Sequence, residues 1–72
     1  MNKKVAVIGR YRDYLEIENP IKDATYSCVN TERDVFGRHW DYYMIANYFY
    51  PETKERNSII DYIESHGGKK IE

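Results

Sequence analysis

Four apolar residues in a row, Val5-Ala6-Val7-Ile8, follow Lys3-Lys4 and stop at Gly9. A strand wet on one face alternates in polarity. An unbroken apolar run reads as a strand buried on both faces, and such strands belong to parallel sheets covered by helices. The run predicts an α/β fold with residues 4–8 as its central strand. Gly9 reads as the tight turn that ends this strand. Read instead as a nucleotide-binding loop, it has one glycine and neither the G-x-G-x-x-G nor the Walker pattern.

The rest of the chain alternates around that strand. Residues 11–18 read as a helix with Tyr11, Tyr14 and Leu15 on one face, stopped by Asn19-Pro20. Residues 24–29 are β-branched and aromatic with alternating polarity, which predicts a second strand at an edge. Asn30-Thr31 is a capping pair before one short helical turn, Asp34-Val35-Phe36, closed by Gly37. Residues 42–46 form a third strand. Ile59, Ile60 and Ile63 share one face of a further helix, ended by His66-Gly67-Gly68. Residues 69–72 are a tail or a strand stub. Strand–helix alternation implies parallel pairing with right-handed crossovers. The expected architecture is one small α/β domain over residues 1–72. Its three-stranded parallel sheet has order 2-1-3, with two main helices and one short turn. The crossover from strand 2 to strand 3 is expected to cover the face opposite the helices, leaving a thinly covered, tyrosine-lined face.

A 72-residue chain buries only roughly 60% of its unfolded surface, so it needs a stabilising device. Cys28 is the sole cysteine, which excludes an internal disulfide, and no Cys/His cluster has zinc spacing. Aromatic packing or self-association is left, and eight tyrosines, two phenylalanines and Trp40 supply the rings. The net charge of −1 gives no general pull toward nucleic acid or membrane. A four-residue apolar run is too short for a signal peptide, and nothing approaches a membrane span. A cytoplasmic protein with no membrane association is expected.

Two surfaces could carry function. Arg10 and Arg12 follow strand 1; Arg33 and Arg38 follow strand 2. Both loops leave the carboxyl edge of the sheet, where open α/β sheets bind ligands. With His39 they could form a site for a phosphate-bearing ligand, nucleotide or nucleic acid. Alternatively they are solvated, or paired with Asp13, Glu16, Glu32 and Asp34. The second surface is aromatic. Trp40, Tyr48 and Tyr50 could anchor a protein partner or a second copy of the chain, or the aromatic group around them could simply be the core. No catalytic residue is expected. Cys28 reads as a small core hydrophobe, and His66 suits the end of its helix dipole. Asp13, Asp34 and Asp41 alternate with arginines, which favours charge neutralisation over a metal site. No cofactor is expected.

Residues 5–10, residues 24–29, the stretch Glu32-Arg33-Asp34-Val35-Phe36-Gly37-Arg38 and residues 42–46 together resemble small Rossmann-like or RecA-like half-domain proteins of tailed bacteriophages. The acidic–apolar–glycine turn carries most of this likeness, which spans residues 4–65. The nucleotide-binding glycine and lysine signatures of the larger relatives are absent, so no cofactor and no catalytic residue carries over. Val7-Ile8-Gly9-Arg10-Tyr11-Arg12-Asp13 is also similar to the opening of nucleotide-binding Rossmann proteins, as far as residue 15. The resemblance implies a phage-encoded protein of the host cytoplasm. The expected function is a non-enzymatic interaction or regulatory module that binds a protein partner, or itself as a homodimer, through its aromatic surface. The alternative is the phosphate-bearing ligand at the arginine edge.

Overall fold

The computed structural model describes residues 2–47 and 52–71. In chain order it contains β1 (Lys3–Ile8), α1 (Tyr11–Tyr14), β2 (Ala24–Val29), a 3-10 turn (Glu32–Asp34), β3 (Tyr42–Ile45), α2 (Lys54–Ser65) and β4 (Lys69–Lys70). The strands form one sheet of order β2-β1-β3-β4, and every neighbouring pair is parallel. The expected order 2-1-3 is therefore present but extended by a fourth strand. The three-stranded count is corrected by β4, where the Lys69 amide donates to Asp41 O at 3.1 Å and the Ile71 amide to Tyr43 O at 3.0 Å. Two consecutive lysines carry no apolar signal, so this strand is set by the turn before it. There the Gly68 amide donates to Ile63 O and the Gly67 amide to Glu64 O. This paired helix cap turns the chain back along the sheet.

Val5, Ala6 and Val7 are fully buried and Ile8 nearly so, as a strand flanked and covered on both faces requires. Register separates the two faces. Ala6 lies beside Ser27 and Tyr43, and Ile8 beside Val29 and Ile45. On this face Val35 and Trp40 of the crossover pack with Ile59 and Ile63 of α2 into the main core. The crossover and α2 thus share a face, contrary to the expectation that they lie on opposite ones.

The other face carries Val5 and Val7, flanked by half-buried Tyr26, Cys28, Tyr42 and Met44. Its cover is a non-helical strap after α1. The Tyr14 hydroxyl donates to Tyr26 O at 3.0 Å, and the Tyr26 hydroxyl bonds the backbone of Ile21 at 2.8 and 2.9 Å. The expected helix over 11–18 is thus one turn. Short helices hold only when a face is packed, and here Leu15 stays 63% exposed.

Candidate functional site

In order β2-β1-β3-β4 the connections diverge between β1 and β3. The carboxyl ends of these strands form the crevice where open parallel sheets place ligands. Gly9 and Ala46 build it. Gly9 sits at φ 151° and a Cβ there would stand 3.1 Å from the Ala46 Cβ, so glycine lets the two loops touch. Asp13 of α1 bridges the crevice and is only 7% exposed. Its carboxylate accepts from Arg10 Nε at 3.2 Å and from Asn47 Nδ2 at 3.3 Å. A buried carboxylate needs such partners. Here they close the switch point with the protein's own groups.

Two of the arginines face different carboxylates. Arg10 answers Asp13, while Arg12, Arg33 and Arg38 are exposed. Arg38 lies by Asp34, whose carboxylate accepts from the Asn30 amide at 3.1 Å and from the Thr31 amide and hydroxyl, both at 3.1 Å. The Asn30 amide above all, then the Thr31 groups and the Arg38 charge, hold Asp34 below the usual carboxylate value against the opposing effect of burial. This clasp is the capping pair foreseen at Asn30-Thr31.

His39 lies at the other end of the sheet. Its Nε2 is 3.0 Å from Asp41 Oδ1. Asp41 in turn accepts from the Lys4 amide and donates its own amide to Lys4 O, each at 2.9 Å. The Lys4 amide first, and then His39, keep the Asp41 carboxyl below its ordinary value. A crossover must return to the amino end before a parallel strand can start, and this carries His39 away from Arg10. Among the described residues no group of three His, Cys, Asp or Glu could hold a metal ion, and no helix is long and apolar enough to cross a membrane.

Trp40 is corrected from partner surface to core. It is 4% exposed and its indole N–H donates to Val35 O at 3.2 Å. Tyr48 and Tyr50 lie outside the described residues. Two other titratable groups serve the fold. Burial, and then the Asp34 charge, push the Cys28 thiol up, which disfavours the reactive thiolate. Burial and the Glu64 carboxylate push Tyr43 up to about 12; its hydroxyl donates to Glu64 at 2.7 Å.

Phe36 of the crossover is 43% exposed, but the two most exposed large apolar side chains among the described residues sit on α1 and its cap. Tyr11 is 61% and Leu15 63% exposed, four residues apart and so on one side of the turn. The Tyr11 ring stacks on Tyr14 at 5.8 Å between centroids. Beside them is a hollow of about 430 Å³ lined by Tyr14, Leu15, Ile17, Asn19, Ala24 and Tyr26. On the far side of the strap a larger hollow, about 660 Å³, includes Ile17, Pro20, Met44 and Ile71 in its walls. The sequence does place Tyr11, Tyr14 and Leu15 on one face. The missing signal was a facing apolar element. Asp13 is legible as a partner for the arginines, whereas its bond to Asn47 is not, because that pairing spans 34 residues. No known family model matches the chain, and no curated protein or solved structure does either.

Proposed function

We propose that this chain is a small non-enzymatic interaction module that docks a protein partner through Tyr11, Tyr14, Leu15 and the hollow beside them. The observation that carries the reading is the adjacent exposure of Tyr11 and Leu15, at 61% and 63%, on a turn whose neighbour Tyr14 is tied to the sheet. Tyrosine supplies large contact area with few rotatable bonds, and an anchored ring loses little freedom on docking. Arg12, exposed next to Tyr11 in the chain, supplies a polar rim of the kind protein interfaces have.

The test is capture from the native host by three forms of the chain: unmodified, Tyr11→Ser/Leu15→Ser and Arg10→Ala/Arg38→Ala. The expected result is one protein held by the unmodified and arginine-substituted forms, at low and high salt, and lost from the Tyr11/Leu15 form. Circular dichroism checks that each variant is folded. Capture that survives in the Tyr11/Leu15 form but disappears with the arginines, or on adding salt, would overturn the reading in favour of a phosphate-bearing ligand.

A further inference from the structure

The two edges of the sheet are unlike. The β4 edge has only two residues, Lys69 and Lys70. Short length and lysine are how native sheets discourage edge-to-edge pairing. The β2 edge has neither protection. Its six residues, Ala-Thr-Tyr-Ser-Cys-Val, contain no charge and no proline. Its backbone directions follow from the bonds at its ends. The Lys3 amide donates to Asp23 O and the Gly9 amide to Val29 O, so the odd-numbered residues of β2 face β1. The amides and carbonyls of Ala24, Tyr26 and Cys28 therefore point outward. Among the described residues only the Tyr14 hydroxyl bonds to this outward row, at Tyr26 O. It takes one of that carbonyl's two lone pairs and leaves the other.

We propose that the β2 edge pairs with the β2 edge of a second copy of this chain, antiparallel about a two-fold axis, joining two sheets into one. An antiparallel two-fold brings the Lys22 end of one strand toward the Glu32 end of the other, at both ends alike. A parallel arrangement would set each residue's like end together. The uncharged strand opposes no like charges across the axis, and a net charge of −1 per chain gives little long-range repulsion between copies. The hollow beside the Tyr11/Leu15 patch shares Ala24 and Tyr26 with this edge, but the pairing uses the backbone row of β2 and neither the Tyr11 nor the Leu15 side chain.

The test follows mass by light scattering and amide exchange by NMR across a concentration series of the unmodified protein. The expected result is a mass rising toward twice the monomer. In step with it, the outward amides of Ala24, Tyr26 and Cys28 gain about tenfold or more protection, while those of Thr25 and Ser27 are protected throughout. Cys28→Pro removes one outward N–H and no bond to β1, as edge strands tolerate. It should stay folded and become monomeric, whereas Tyr11→Ser/Leu15→Ser should still dimerise. If Cys28→Pro fails to fold, the exchange series on the unmodified chain decides. A monomer at the highest concentration overturns the proposal. So does a dimer in which the three outward amides exchange freely, or a folded Cys28→Pro variant that remains a dimer.

Discussion

Gly68 is the tightest point of the fold, and Gly68→Ala tests the packing logic directly. A Cβ built there would lie 2.3 Å from Ile63 Cγ2, 3.0 Å from Ile63 O and 3.2 Å from Trp40 O. Two of the three obstacles are backbone. The third is a branch of a β-branched side chain, stiff in a helix, on a residue 1% exposed. Overpacking of this kind costs about 1–3 kcal/mol. The shift needed also loosens the Gly68 N–H to Ile63 O bond, 2.9 Å long, worth roughly 1 kcal/mol. The stiffer unfolded chain of the alanine form offsets about 0.4–1 kcal/mol. The balance is a destabilisation of about 1–3.5 kcal/mol, or ~4–28 °C in Tm for a domain of this size.

Thermal and urea denaturation, followed by circular dichroism and by Trp40 fluorescence, measure it. Leucine has no Cγ2 branch at Cβ, so Ile63→Leu removes the nearest obstacle. The double variant should then be more stable than the sum of the two single changes, with a coupling of about 1 kcal/mol or more. A Gly68→Ala protein melting within about 2 °C of the parent, or strictly additive single changes, would refute the close approach of α2, the crossover and the β4 turn.

Two further outcomes are expected. Val7→Asp places a carboxylate at a fully buried position between β2 and β3, so it should abolish folding, and a soluble variant with cooperative melting would contradict the assignment. Tyr43 titrates near 12 in the folded chain against an ordinary value of 10.0. Because the folded value is raised, its contribution is fully present below 10 and is lost as pH rises from about 10 through about 12. Stability measured by urea melts should therefore fall more steeply across this range in the parent than in Tyr43→Phe, and equal slopes would show that burial and the Glu64 carboxylate do not together raise the Tyr43 hydroxyl.

How legible each part was depends on whether its cause is local. The β1 run is local: four apolar residues say that both faces are covered, and they are. The α2 face, the turn at Thr31 and the end of α2 also follow from neighbours within a few residues. Trp40 is open to two readings in the sequence, partner anchor and core, because its neighbours His39 and Asp41 are polar and decide nothing. Its burial depends on Val35 five residues before it and on Ile59 and Ile63 well after it. The candidate site suffers most from distance. Carboxylate partners of Arg10 and Arg38 were in view as Asp13 and Asp34, but which face or edge each pair occupies is decided by the route of the crossover.

That route explains the layering as well. A right-handed crossover places its connecting chain on a face that depends on which way along the sheet it travels. From β1 to β2 the chain moves one way; from β2 over β1 to β3, and from β3 to β4, it moves the other. Two connections travelling the same way must share a face, and the third must take the opposite one. Val35 and Trp40 therefore join Ile59 and Ile63 in one core, while the strap after α1 is left alone over Val5 and Val7. Without β4 the direction of the last connection is undefined, so the sharing of a face cannot be inferred. The proposed docking surface follows from the same constraint. A lone strap with one helical turn covers the central strand and no more, so Tyr11 and Leu15 remain in solvent and hollows remain on both sides of the strap.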